Sequence, residues 1–134
     1  MNIAILGLIF SAFLPIVCSW ISGSYRHYTL GGGDNKHPRD QNNQLVGAGA
    51  RAVAAQKNAW EGFVVYSAAM LALILGNNPM SIGSAIDDAA IAIWIYMISR
   101  VAYVACYLLN QDIIRSLSFF GSFGSCLYIM FTNL

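Results

Sequence analysis

Ala-Arg-Ala-Val-Ala-Ala-Gln-Lys-Asn-Ala-Trp-Glu, residues 50–61, opens an apolar segment that continues with Gly-Phe-Val-Val-Tyr. On an α-helix each residue turns by about 100°, which puts Arg51 and Asn58 about 20° apart and Glu61 about 80° from Arg51. These three polar side chains share one face, and alanine occupies most of the other positions. A solvated first turn is one interpretation, but apolar residues follow Glu61 at once. Since ionisable residues in membrane helices usually face a bundle interior, and small residues allow close helix contacts, we expect a packed membrane helix.

The composition favours the same class of protein. The chain has 134 residues, of which 57% are hydrophobic and 10% are charged, whereas soluble domains have about 25% charged residues. Four spans of about 20 residues would use most of this length, so we expect a single domain, residues 1–134. No basic run is present, which argues against nucleic-acid binding. The three cysteines are widely separated, so neither a disulfide framework nor a metal site is expected.

Four apolar segments predict an all-α integral membrane protein, a bundle of four transmembrane helices in a lipid bilayer. The predicted helices cover about residues 3–21, 45–76, 86–109 and 112–132, and the polar loop covers residues 22–44. All seven Lys and Arg lie in this loop or at the helix ends on its side, whereas the second loop carries only acids. The positive-inside rule then puts the loops at 22–44 and 110–112 in the cytoplasm and both termini outside.

A second polar face is predicted on the third helix. Tyr103 and Tyr107 lie about 60° and 20° from Arg100 around a helix, and Arg115 follows after a short turn on the same side of the membrane. An arginine this far inside a span is costly unless it is paired. Glu61 is the only acid at a comparable depth, so we expect Arg100 and Glu61 to be close, within one subunit or across a subunit boundary.

Two interpretations of these polar residues stay open. One is an ion pair that sets the register of the helices and does nothing more. The other is a cationic pocket for an anionic ligand that enters from the cytoplasm or from lipid. The single carboxylate of Glu61 cannot neutralise the four cations Arg51, Lys57, Arg100 and Arg115. The surplus positive charge would attract carboxylates or a thiolate.

The two polar faces together resemble the MAPEG family, the membrane-associated proteins in eicosanoid and glutathione metabolism. The resemblance rests on Arg51-x6-Asn58-x2-Glu61, on Arg100-x2-Tyr103-x3-Tyr107, and on Arg115-Ser116 at the start of the last helix, and it covers nearly the whole chain. Residues 37–52 are similar to bacterial members in particular. The resemblance implies a homotrimer in a bacterial inner membrane, with glutathione bound between neighbouring subunits at the cytoplasmic side.

The resemblance also implies a role for each motif residue. Arg115 matches the arginine that stabilises the glutathione thiolate, so it is the catalytic candidate. The candidates for glutathione binding are Arg51, Lys57, Asn58, Glu61, Arg100, Tyr103 and Tyr107. The implied activity is glutathione transfer to a lipophilic electrophile from the bilayer, or peroxide reduction. Such chemistry needs a thiolate, and a nearby cation lowers a thiol pKa from about 8.5.

Three positions depart from the family pattern. Ala54 stands where many catalytic members carry an arginine, and Ala50 replaces an acid. Lys57 stands where arginine is common, and lysine cannot make the same bidentate contact. Two alternatives to the enzyme therefore remain. One is an accessory subunit of a larger membrane complex, and the other is a non-catalytic protein that binds lipid or another anionic amphiphile.

Overall fold

The computed structural model describes residues 2–132, and within this range the chain forms helices and their connections, with no strand. The helices in chain order are α1 (Ile3–Thr29), α2 (Pro38–Asn43), α3 (Gly47–Gly76), α4 (Ile82–Asp88), α5 (Ala90–Leu108) and α6 (Asp112–Phe131). α1, α3, α5 and α6 are long and apolar enough to cross a membrane. The prediction of an all-α integral membrane protein with four spans is confirmed.

The first helix is longer than its apolar run. α1 continues through Pro15 to Thr29, so residues 22–29 are helical and not part of the predicted loop. Polar side chains in this last part bond to the helix itself: the hydroxyl of Ser24 donates to the carbonyl of Trp20, 3.0 Å away. A basic residue, Arg26, lies in the last turn, where a cation is favourable next to the helix C-terminus.

The two connections on either side of α3 carry short helices. The sequence analysis placed α2 in the polar loop, and it divided α4 between the second loop and the start of the helix predicted at 86–109. In the first connection, the side chain of Gln41 donates to the carbonyl of Gly32 and accepts from the backbone N–H of Asp34, at 2.6 and 2.9 Å. Arg26 also donates to the carbonyl of Pro38. In the second connection, residues 82–88 form α4. The hydrogen bonds of Gln41 and Arg26 give the first connection a defined conformation, and α4 does the same for the second connection.

The four long helices form one bundle with a close-packed centre. α1 packs mainly on α3, α5 packs mainly on α6, and α3 contacts both α5 and α6. The rings of Tyr66 and Tyr96 stack at the centre with centroids 4.3 Å apart. On α6 the inward face is made of small residues, since Ser118, Ser122 and Ser125 are all buried. Small side chains let α6 approach α3 and α5 closely.

The two stacked tyrosines give a matched pair of predictions. The hydroxyl of Tyr96 accepts from Ser11 and donates to the carbonyl of Gly62, both at 3.1 Å, whereas the buried hydroxyl of Tyr66 has no partner among the described residues. We expect Tyr96→Phe to lower the free energy of unfolding by about 1 kcal/mol. Tyr66→Phe should leave it unchanged or raise it, because no hydrogen bond is lost. Thermal unfolding in detergent measures both, and equal losses would contradict the assigned bonds.

Candidate functional site

The predicted site residues come together at one end of the bundle, where α3 begins and α5 ends. Nε and Nη2 of Arg51 both donate to the carbonyl oxygen of Leu108, at 3.3 and 3.2 Å. This carbonyl belongs to the last turn of α5, whose carbonyls have no partner within the helix. A cation at this position also complements the helix dipole. Arg51 therefore caps α5 and holds its end against α3.

Arg100 is a buried cation held by an asparagine of the neighbouring helix. Its side chain is 2% exposed. Nη1 donates to Oδ1 of Asn58 at 2.8 Å, and Nη2 donates to the backbone carbonyl of Asn58 at 2.7 Å. A helical carbonyl accepts a bond from the residue four positions later and keeps a second lone pair. Arg100 uses this lone pair, and so it joins α5 to α3 at two points.

Gly62 makes this contact possible. It is the residue four positions after Asn58, and a Cβ on it would lie 2.7 Å from Cζ of Arg100. The guanidinium group therefore lies directly against the α3 backbone, in space that any other side chain would occupy. On its other side, Cζ of Arg100 is 5.0 Å from the ring centroid of Tyr103, which is within the range of a cation–π contact.

Glu61 is linked to Arg100 through Asn58, not by direct contact. Nδ2 of Asn58 donates to Oε2 of Glu61 at 3.1 Å. Within residues 2–132 the two charged groups form no ion pair, so Glu61 is not the direct partner of Arg100 in one protomer. The reason is position: Glu61 is exposed, whereas Asn58 lies deeper and offers two oxygens to one guanidinium. The carboxylate stays available at the surface of α3.

A cavity of about 190 Å³, called the chamber below, lies between α3, α5 and α6 beside Arg100. Its polar wall is the group of Asn58, Glu61, Gly62 and Arg100 described above. The rest of its wall is mainly apolar and includes Val65, Tyr96, Phe119, Ser122, Phe123 and Cys126. Nε of Arg100 is buried and has no hydrogen-bond partner among the described residues.

A second cavity of about 250 Å³, called the rim pocket below, lies between α5 and α6. Cζ of Arg115 is 4.6 Å from the ring centroid of Tyr107, and the rings of Tyr103 and Tyr107 are 5.4 Å apart. No carboxylate lines this pocket, and Arg115 forms no ion pair within residues 2–132. Asp112, three residues earlier on α6, lines an adjoining cavity together with Arg115 but lies beyond ion-pair distance. Phe119 lines both the rim pocket and the chamber.

The structure assigns six of the eight predicted site residues to the two cavities and leaves two outside them. Asn58, Glu61 and Arg100 line the chamber. Tyr103, Tyr107 and Arg115 line the rim pocket, and Tyr103 also contacts Arg100. Arg51 caps α5 instead of facing either cavity. Lys57 is exposed and lines neither cavity.

Sequence reasoning missed several residues that shape these cavities: Gly62, Tyr96, Phe119, Ser122 and Cys126. A signal for some of them was present. Tyr96 precedes Arg100 by about one helical turn. Phe119, Ser122 and Cys126 are spaced by three and then four residues along α6, which puts them on one face of the helix. No comparable signal marked Gly62, because glycine is frequent in membrane helices.

One comparison with known proteins identified a family. The model of the MAPEG family matches residues 3–134, which include both cavities and every residue named in them. Comparisons with curated proteins and with solved structures gave no match.

Proposed function

The chain belongs to the MAPEG family, and we propose that it is a membrane-bound enzyme that transfers glutathione to lipophilic electrophiles. The observation that carries this proposal is the state of Arg115. Its guanidinium lies over the ring of Tyr107 at an open pocket, and among residues 2–132 no carboxylate lies within ion-pair distance of it. A half-buried cation without a counter-charge is the group needed to stabilise a thiolate.

Glutathione supplies the nucleophilic sulfur, and Arg115 would hold it as the thiolate. As the S–C bond forms, the bond from carbon to the leaving group breaks, and the thiol proton passes to water. Tyr103 and Tyr107 would position the sulfur from the α5 side of the rim pocket. With a hydroperoxide as the acceptor, the thiolate would take the terminal OH as the O–O bond breaks, and the alkoxide would leave as an alcohol after protonation. A second glutathione would then react with the sulfenic acid to give the disulfide and water. Nucleophilic catalysis of this kind depends on the thiolate fraction.

The charges at this end of the bundle fit an anionic tripeptide. Lys57 and Glu61 are both exposed on α3, so a cation is present for a carboxylate and a carboxylate for the glutathione amine. The rim pocket, at about 250 Å³, is smaller than ligand pockets usually are, roughly 300–1,000 Å³. One protomer would therefore enclose only part of glutathione. This supports a homotrimer in which a neighbouring copy completes the site.

The distribution of charge supports the proposed orientation. Every Lys and Arg lies in the first connection, at the start of α3, in the second half of α5 or in the first turn of α6, apart from Arg26 at the end of α1. Asp87 and Asp88 lie at the other end, in α4. The positive-inside rule puts the basic end in the cytoplasm and both termini outside. We place the protein in a bacterial inner membrane on the similarity of residues 37–52 to bacterial members.

A second candidate function is a non-catalytic one, either an accessory subunit of a larger membrane complex or a protein that binds lipid or another anionic amphiphile. The observation in its favour is that two of the four predicted cations already have partners within the protomer. Arg51 is bound to Leu108 and Arg100 to Asn58. On this interpretation the polar residues hold helices together, and glutathione does not bind.

Calorimetric titration of the detergent-purified protein with glutathione tests the proposal. We expect saturable binding in the micromolar to low-millimolar range. Lys57→Ala should weaken it by about tenfold, which corresponds to the loss of one charged hydrogen bond of about 1.5 kcal/mol. Lys36→Ala is the matched control, because it removes an exposed lysine from the first connection, and it should bind like the wild type. Absence of binding at several millimolar glutathione by folded protein would favour the non-catalytic function.

A further inference from the structure

We propose that a third cavity, called the acidic slot below, binds the cationic head of an amphiphilic amine together with the first part of its apolar chain. The cavity lies between α5 and α6 at the end of the bundle opposite the rim pocket. It is lined by Asp88 at the end of α4, by one face of α5 from Ile91 to Ile95, and by Gly124, Ser125 and Tyr128 of α6. None of these residues lines the chamber or the rim pocket, so this inference does not depend on glutathione.

Small residues leave space for a ligand between the two helices. The volume of the slot is about 380 Å³, within the usual range for ligand pockets, roughly 300–1,000 Å³. Ala92 and Ser125 form its buried floor, and a Cβ at Gly124 would meet no atom within 4 Å. Ile91 and Ile95 form an exposed apolar side. Because the helix rises by only about 6 Å between these two residues, the slot takes the first carbons of a chain, and the remainder would continue into lipid.

Asp88 gives this slot a negative charge. The side chain is exposed, and it forms no ion pair within residues 2–132. Every lysine and arginine of the described chain lies in the half of the bundle that contains the rim pocket. The carboxylate of Asp88 is therefore available to a cation that the protomer does not supply.

Tyr128 provides an aromatic ring at the same end of the slot. It lies in the last turn of α6 and is 55% exposed, and α6 packs closely on α5, which begins just after Asp88. The face of an aromatic ring attracts a quaternary ammonium ion within about 6 Å. A carboxylate and an aromatic ring next to an apolar slot are the groups that recognise an alkyl ammonium ion.

The charge at this end also distinguishes between two kinds of amphiphile. A zwitterionic phospholipid such as phosphatidylethanolamine carries a phosphate next to its ammonium group. Asp87 and Asp88 are neighbours at the end of α4, and they would repel this phosphate. No lysine or arginine of the described residues lies at this end to bind it. The occupant is therefore an amine without a phosphate, such as a single-chain alkyl ammonium ion.

Photolabelling in dodecyl maltoside micelles tests the slot, because this detergent contains no ammonium group. The probe is decyltrimethylammonium with a diazirine in its chain close to the head, and mass spectrometry of peptides locates the label. We expect saturable labelling of residues 91–95 and 124–128, and unlabelled decyltrimethylammonium should compete with it. Decanol has the same chain without the charge and should not compete.

Two neighbouring aspartates give a matched pair of variants. Asp88→Asn removes the charge at the slot, whereas Asp87→Asn removes the same charge from an exposed position that does not line it. We expect Asp88→Asn to weaken binding of the probe about fivefold, the scale of one exposed ion pair, and Asp87→Asn to bind like the wild type. Tyr128→Leu keeps an apolar side chain but loses the ring, so it should weaken binding about threefold.

Filling the slot tests its shape. Gly124→Leu adds a side chain in the open space beside α6, and we expect it to abolish saturable labelling. Gel filtration and thermal unfolding in detergent show whether this variant is folded. If Gly124→Leu does not fold, the smaller Gly124→Val fills part of the same space and should weaken binding at least threefold.

Three results would overturn the proposal. Equal weakening by Asp88→Asn and Asp87→Asn would show that the probe responds to the general charge of α4. Unchanged labelling in folded Gly124→Leu would show that the probe does not enter the slot. Stronger competition by phosphatidylethanolamine than by decyltrimethylammonium would assign the slot to a phospholipid. Glutathione binding is measured separately at the other end of the bundle, so none of these results would contradict the proposed function.

Discussion

Gly62→Ala is expected to lower the free energy of unfolding by about 3 kcal/mol, the scale of losing charged hydrogen bonds to a buried group. The new Cβ would lie 2.7 Å from Cζ of Arg100, so the guanidinium must leave the surface of α3. Its bonds to Oδ1 and to the carbonyl of Asn58 would then break. A buried cation without its partners is among the most destabilising defects a protein can carry. Thermal unfolding and gel filtration in detergent measure the loss.

Gly124→Ala is the matched control for this prediction. It changes a glycine of a membrane helix in the same way, but a Cβ at Gly124 would meet no atom within 4 Å. Because alanine has a higher helix propensity than glycine, this variant should unfold at the wild-type temperature or slightly above it. If Gly62→Ala unfolded at the same temperature as Gly124→Ala, the guanidinium of Arg100 would not lie against α3 as described.

Arg115→Ala is expected to lower kcat for glutathione addition to 1-chloro-2,4-dinitrobenzene by about 100-fold, the usual effect of removing one group that stabilises developing charge. Arg115 forms no ion pair with any residue in the range 2–132, so its charge is available to act on the sulfur. Without it, the pKa of the glutathione thiol would return toward that of a free thiol, about 8.5. The loss should therefore be largest at neutral pH and shrink as the pH is raised.

Rates measured across pH distinguish this role from a structural one. Arg115→Lys keeps the charge and should recover part of kcat, whereas a packing defect would not be corrected by lysine. Arg39→Ala removes an exposed arginine from α2 and should leave the rate unchanged. Full turnover by Arg115→Ala, in a protein that still binds glutathione, would show that another group stabilises the thiolate.

Much of the site was accessible from the sequence because helix geometry is local. The spacing of Arg51, Asn58 and Glu61, and that of Arg100, Tyr103 and Tyr107, puts each set on one helix face whatever the rest of the chain does. The pairing between the two faces was not accessible in the same way. It depends on how far α3 and α5 are shifted relative to each other along the bundle axis. The angle of a residue around its own helix gives no information about this shift. Glu61 was therefore predicted to lie close to Arg100, within one subunit or across a subunit boundary, and within residues 2–132 of one protomer Asn58 links the two.

The sequence by itself determined the class of protein and the family motifs. The deficit of charge and the four apolar runs require a membrane bundle, since only helices satisfy their own backbone groups in lipid in this way. Tertiary structure alone decided which groups meet. Gly62 admits a guanidinium because α5 approaches α3 there, Arg51 caps α5 because the two helix ends coincide, and Phe119 lies between two cavities because α6 packs against both helices. Each of these contacts joins residues that are far apart in the chain, and a local sequence pattern gives no information about which distant residues will meet.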